Sequence, residues 1–283
     1  MRTVLTLSKE VETILKAHSI IEAELDAKLL ISHALSLTSI DYALDKDRQI
    51  TDNEYLDVIE LVNLRQQRIP MSQIFGEKEF WSLVYKVTSD TLTPRPDSET
   101  LIDVALKKIS NKQKQLRILD LGTGTGCLLL TLLSEFPNAT GLGTDISHKA
   151  LAVAIENAQR LNLTNRSDFC ISNWTENLEP DEKFDIIISN PPYIGLSEKA
   201  DLSPEVKDHE PETALFSGPT GLNDYQLIAK QIKPFLSPEG IIILEIGYKQ
   251  ALDVKEIFTS AGFNNISLHK DLARRDRCLM IEK

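Results

Sequence analysis

The chain has 283 residues, 42% hydrophobic and 26% charged, a length and balance that fit two packed cores rather than one. Its formal net charge of −11 disfavours affinity driven by nucleic-acid phosphates, so no direct nucleic-acid binding is expected, and a protein partner or small substrate is favoured. No apolar run reaches membrane-spanning length, Lys9, Glu10 and Glu12 stand where a signal peptide needs an apolar core, and the scattered Cys127, Cys170 and Cys278 read as buried thiols of a reducing compartment; the cytoplasm is expected, with no membrane.

From Val4 to about Arg68, apolar residues recur at threes and fours, as in Val11, Ile14 and Leu15 and in Leu25, Leu29, Leu30, Ala34 and Leu37. This predicts a small all-α domain over residues 1–70. Thr51 followed by Glu54 reads as a capping box opening a helix that Pro70 closes. Asp41, Asp45, Asp47 and Asp52 lack ligand-like spacing and read as a solvated face, and no metal site is expected anywhere in the chain. With no catalytic set of its own, this domain is left to recognise a partner. Next, Phe80, Trp81, Leu83, Val84, Tyr85 and Val87 predict a short strand pair, a β-hairpin linker over 71–97. The prolines of Thr93-Pro94-Arg95-Pro96-Asp97-Ser98-Glu99 stiffen an extended entrance, Ser98 or Asp97 is placed to cap the following helix, and the segment could line a pocket.

Residues 98–283 alternate strand and helix patterns, the mark of a parallel sheet covered on both faces. A strand over 117–121 turns through Gly122-Thr123-Gly124-Thr125-Gly126 into a helix over 127–133. The loop is neither Gly-x-Gly-x-x-Gly nor a Gly-Lys-Ser/Thr phosphate cradle, which favours a ligand without phosphates. Asp145, nineteen positions after Gly126, ends a strand where a carboxylate can accept both hydroxyls of a ribose; loop and carboxylate together point to a nucleoside-containing cofactor. A helix over 149–161 and a strand over 169–171 follow, then Trp174, whose indole reads equally as core or as a surface for an adenine ring. The buried strand over 184–188 runs into Ser189-Asn190-Pro191-Pro192-Tyr193. Two prolines end the ladder there and leave carbonyls free as acceptors, beside an asparagine amide and an aromatic face, a pocket suited to a planar amide or amine. The long segment over 195–222 reads as a functional loop, in which His209 has no evident partner. Helices over 225–235 and 250–261 and strands over 241–246, 266–269 and 278–281 complete the pattern.

The 93–99 segment, the run Asp120-Leu121 into the glycine loop, and Asn190-Pro191-Pro192-Tyr193 behind a small helical domain resemble the HemK/PrmC family, peptide chain release factor N5-glutamine methyltransferases of the class I S-adenosylmethionine-dependent type. The resemblance spans essentially the whole chain, taking in Pro70, Gln73 and Gly76, His209-Glu210-Pro211 with Ala214-Leu215, and Glu245-Ile246-Gly247. Ser98 stands where threonine is usual, and Arg274 where glycine is frequent. What the resemblance implies is a Rossmann-like α/β domain over 98–283 with a seven-stranded sheet whose last strand is antiparallel, and S-adenosyl-L-methionine as cofactor. Gly122, Thr123, Gly124, Thr125 and Gly126 would approach its methionine part, Asp145 its ribose and Trp174 its adenine, with Asn190 bordering it. Asn190, Pro191, Pro192 and Tyr193 would hold the glutamine amide of the Gly-Gly-Gln motif in a release factor, the expected partner. Three alternatives compete: glutamine methylation of a ribosomal protein, amino-methylation of a flipped nucleic-acid base, for which the charge is unfavourable, and a non-catalytic adaptor.

Overall fold

The computed structural model describes residues 2–283, which form two compact units: residues 2–76 with Ser203–His209, and Glu77–Leu202 with Glu210–Lys283.

The first unit is built from α1 (Val4–Ala17), α2 (Ala23–Ala34), α3 (Ser39–Leu44), α4 (Asp52–Gln66) and the short α5 (Met71–Phe75). The capping box expected at Thr51 and Glu54 is present, and Thr3/Thr6 and Thr38/Asp41 make two more, so Asp41 has a specific structural task rather than mere solvation. Val11 and Leu15 of α1, Leu30 and Ile31 of α2, and Val58 and Val62 of α4 meet in a fully buried core. Leu25 and Leu29, read from periodicity as core positions, are exposed because α2 turns Ala23 and Ala27 inward instead. Pro70 does not close α4: that helix ends at Gln66, Arg68 reverses the chain at φ 67°, and Pro70 begins α5.

The second unit opens with the hairpin β1 (Glu77–Phe80) and β2 (Leu83–Lys86). Its two-residue turn puts Trp81 and Ser82 at φ 51° and 61°, the doubly positive geometry that matches the twist of paired strands. Phe80 and Tyr85 are buried in the core of this unit. After the 3₁₀ turn Pro96–Ser98 comes α6 (Glu99–Lys108), then β3 (Arg117–Leu121), α7 (Cys127–Glu135), β4 (Thr140–Asp145), α8 (His148–Arg160), β5 (Ser167–Ile171) and β6 (Phe184–Ser189).

Beyond β6 the chain enters the first unit for residues 203–209, which include the helical turn α9 (Pro204–Lys207). There Glu205 bridges Arg65 at 2.9 Å and Arg68 at 2.8 Å, while Arg65 also meets Asp26 at 2.7 Å. His209 does have a partner, which no sequence pattern announced: its Nε2 lies 2.9 Å from the Gln67 carbonyl oxygen, and its own carbonyl accepts from Gln73 at 2.8 Å. Back in the second unit follow α10 (Glu212–Leu215), α11 (Asn223–Gln231), β7 (Leu236–Glu245), α12 (Ala251–Ser260), β8 (Asn265–Lys270) and β9 (Asp276–Glu282).

The seven strands lie in the order β5-β4-β3-β6-β7-β9-β8, parallel except for β9, which runs antiparallel to both neighbours. This is the class I methyltransferase fold. Both faces of the central strands are covered, which explains their unbroken apolar runs: Ile118, Ile186, Ile188, Ile241 and Ile243 pack into one layer, and Leu119, Ile187, Ile242 and Leu244 into the other. Each such side chain contributes about 1.5–3 kcal/mol on burial. The strand order reverses between β3 and β6, and the carboxyl ends of strands at such a reversal form a crevice outside the sheet.

Candidate active site

The site begins with register. Leu121 of β3 pairs with Thr144 of β4 on one side and Ser189 of β6 on the other, and Ser189 pairs in turn with Leu244 of β7. The next residues along these strands, Gly122, Asp145, Asn190 and Glu245, therefore leave the sheet from one row. Four positions separated by up to 123 residues (245 − 122) converge because the ladder brings them together.

At β3 the loop needs its glycines. Gly122 and Gly124 sit at φ 69° and 55°, and a Cβ on Gly122 would lie 3.3 Å from the Trp174 ring. The Thr123 amide donates to the Thr144 carbonyl at 2.8 Å, and the Gly124 amide to Asp145 Oδ2 at 2.9 Å. Asp145 Oδ1 accepts from the Ser147 amide at 2.9 Å, so its carboxylate is held by backbone at both ends. Burial raises its pKa, against hydrogen bonds from the amides of Ser147, Gly124 and Ile146. Beneath the loop, Asp120 Oδ2 accepts from Thr123 Oγ1 at 2.7 Å, while Asp120 Oδ1 and Thr144 Oγ1 are buried with no hydrogen-bond partner among the described residues. Burial pushes the Asp120 carboxyl up to about 7.

These loops border a cavity of about 310 Å³ within the second unit. Gly122, Thr123, Gly124, Thr125, Asp145, Trp174, Asn190 and Pro192 line it. Gly126 does not; at φ 80° it starts α7 against Leu130 and Ala154. Pro191 and Tyr193 also lie outside the lining, and the Tyr193 hydroxyl reaches Glu245 Oε1 at 3.3 Å, while Gln250 donates to its carbonyl at 2.9 Å. Trp174, at φ 55° and 9% exposed, is core on most of its surface and lining on the rest.

Part of the wall comes from the two segments read from sequence as a pocket-lining entrance and a functional loop, Thr93 from the first and Pro211, Thr213 and Phe216 from the second, while Asp90 and Leu92 were not singled out. Glu210 ties the two together, accepting from the Thr93 amide at 3.4 Å and pairing with Arg95. Ser98, expected as a cap of α6, makes no capping hydrogen bond because its hydroxyl is committed to Glu245.

Residues 6–76 match the PrmC N-terminal domain and residues 112–273 the Methyltransferase domain. The release factor glutamine methyltransferase of Agrobacterium fabrum is 39% identical over 272 residues, 95% of this chain and 93% of that protein. This chain belongs to the release factor glutamine methyltransferase family. The Caulobacter vibrioides member is 38% identical over 266 residues, 94% of this chain and 91% of its own. A methyltransferase structure from Pyrococcus furiosus shares the fold, with a TM-score of 0.55 at 20% identity over 77% of this chain and 98% of that one. Among the described residues, no cluster of three or more His, Cys, Asp or Glu could hold a metal, and no helix is long and apolar enough to cross a membrane.

Proposed function

We propose that this family member transfers a methyl group from S-adenosyl-L-methionine to the side-chain amide nitrogen of the glutamine in the Gly-Gly-Gln motif of peptide chain release factors. The observation that carries the reading is the row of Gly122, Asp145 and Asn190 around one cavity, in a chain whose relatives bear that name along nearly their whole length. The residues fit the cofactor. The glycine loop leaves open space where a Cβ of Gly124 would stand, Asp145 can accept ribose hydroxyls, and Trp174 offers an apolar face. When bound, the cofactor supplies an electrophilic methyl on a sulfonium with a neutral thioether as leaving group.

The remaining task falls to this chain. A glutamine amide nitrogen is a weak nucleophile because its lone pair is delocalised into the carbonyl. Asn190 Oδ1, accepting one amide hydrogen, orients the nitrogen for in-line displacement and stabilises positive charge as it develops there, whereas Pro191, expected to supply the second acceptor, stands outside the cavity lining. Pro192 closes the cavity side of the amide, and Tyr193 supports the tetrad from behind through Glu245. All three cysteines are unpaired, which supports a reducing, cytoplasmic setting.

The test is incubation with methyl-labelled cofactor and purified release factors, a glutamine-bearing ribosomal protein and single-stranded oligonucleotides, followed by mass mapping. Label on the Gly-Gly-Gln glutamine is the expected result. Label on the ribosomal protein or on a base, with none on release factors, overturns the reading.

A further inference from the structure

We infer that Ser98 and Glu245 are a positioning pair which sets the end of the Asn190 side-chain amide that faces the cavity. This role rests on the reading of Asn190 proposed above and deepens it. Asn190 Nδ2 donates to Ser98 Oγ at 3.1 Å, and Ser98 Oγ donates to Glu245 Oε2. Ser98 is 2% exposed and Glu245 1%, so neither has water as an alternative partner.

An asparagine amide has nearly the same shape in both flips, and at the mouth of a cavity nothing intrinsic selects one. The chain of donors selects here. A carboxylate only accepts; it takes the one hydroxyl hydrogen of Ser98 and leaves that oxygen with lone pairs alone. Ser98 can then receive Asn190 only through Nδ2, and Oδ1 is turned away from it, without any hydrogen-bond partner among the described residues. The opposite flip would set two N–H donors against the two N–H donors of a substrate amide. A hydroxyl and an acid more than 50 residues from Asn190 thus make it an acceptor.

Protonation of Glu245 reverses the logic, since a carboxylic acid can donate to Ser98 and free the serine hydrogen for Oδ1. The groups facing Glu245 divide. The Arg277 guanidinium favours its charge, and Asp97, paired with Arg277 at 2.9 Å, opposes it. Tyr193 donates to Oε1, Tyr225 donates to the Glu245 backbone oxygen at 2.9 Å, and the thiols of Cys278, its cross-strand partner, and Cys127 are uncharged neighbours. Asp271, at 3.5 Å from Arg277, shares the guanidinium. Burial dominates and brings the Glu245 carboxyl up to about 7, where the polarity of the chain changes across ordinary pH.

The experiment is single-turnover methylation of a release factor at saturating S-adenosyl-L-methionine from pH 5.5 to 9, with cofactor affinity and thermal stability measured for each variant. Wild-type rate rises with pH through about 7, and Glu245→Gln, which keeps an acceptor but cannot ionise, loses that inflection. Ser98→Ala loses on the order of 10²-fold in rate with cofactor affinity within about twofold, and Ser98→Thr, which keeps the hydroxyl, restores most of it. Full rate in Ser98→Ala, or an inflection retained in Glu245→Gln, overturns the pair. If Glu245→Gln does not fold, the Ser98→Ala and Ser98→Thr comparison decides alone. Asn190→Ala separates the two failures: normal turnover there removes the reading of Asn190 itself, whereas slow turnover beside a normal Ser98→Ala removes only the positioning role.

Discussion

Leu121 and Ser189 pair across β3 and β6, and the Ser189 hydroxyl donates to the Leu121 carbonyl at 2.6 Å, so the glycine loop and the asparagine tetrad start from a common, doubly fastened row. The glycine loop and the asparagine tetrad cannot shift past each other without breaking the sheet.

On the proposed reading, Asn190→Ala removes an acceptor that strengthens as charge grows on the substrate nitrogen. The rate should fall by about 10²–10³, by analogy with single hydrogen-bonding groups in other active sites, while cofactor affinity stays within a few-fold. Stopped single turnovers and calorimetry on the same preparation check both halves.

Asp145→Ala should weaken S-adenosyl-L-methionine by about 1.5–3 kcal/mol for each charge-assisted hydrogen bond lost. Because Asp145 also accepts from Gly124 and Ser147, the variant should lose thermal stability as well. Calorimetric affinity unchanged from wild type would remove Asp145 from the site.

Gly124→Ala tests close approach. Nothing lies within 4 Å of the added Cβ, so packing is untouched and the folding cost is about 1–2 kcal/mol from the left-handed φ of 55° alone. The methyl group should nevertheless reduce cofactor affinity at least tenfold, or about 1.4 kcal/mol, because it enters the cavity wall. Equal affinity would show that the loop backbone does not meet the ligand.

The Asp120 carboxyl is raised by burial from its ordinary 3.8 to about 7 in the folded chain. Between those values the folded state binds the extra proton, so the stability this group confers is whole below about pH 4 and is lost as pH rises through 7, on the order of 4 kcal/mol in all. Melting temperature should therefore decline from pH 5 to pH 8, with the raised Glu245 carboxyl adding to the same slope, and Asp120→Asn should remove the Asp120 share of that decline. A slope identical to wild type in the variant would remove Asp120 as its source.

Glu205→Gln lies in sequence among the residues of the methyltransferase part yet should destabilise the helical unit. It leaves Arg65, with a side chain 8% exposed, with Asp26 as its one carboxylate beside the Ile69 carbonyl, at a cost of about 1.5–3 kcal/mol. Hydrogen exchange should speed up in α1, α2 and α4, and exchange unchanged there would contradict the assignment.

The architecture and most of the site were legible because they follow local rules. Alternating strand and helix patterns foretold the sheet, the Thr51/Glu54 box marked α4, and the glycine run with Asp145 and Asn190 marked the cavity. What stayed hidden depends on partners distant in sequence. Ser98 looks like a helix cap until β7 brings Glu245 to it, and Leu25 looks like core until α2 is seen to bury Ala27. Glu205 and His209 read as loop residues, since nothing near them in the chain shows that Arg65, Arg68 and Gln67 receive them. Periodicity reports a face, while the choice of neighbour belongs to tertiary packing.

The excursion of residues 203–209 into the helical unit means that the chain passes between the units three times, after Gly76, after Leu202 and after His209. Unfolding of the helices would release those seven residues into the loop that carries Pro211 and Thr213, lengthening a tether whose closure entropy rises with every residue freed. Melting of one unit is therefore felt as slack in the other's cavity wall. A protease nick within 203–209 would be resisted for as long as the helices stand, which makes the cutting rate at that loop a local thermometer of their stability.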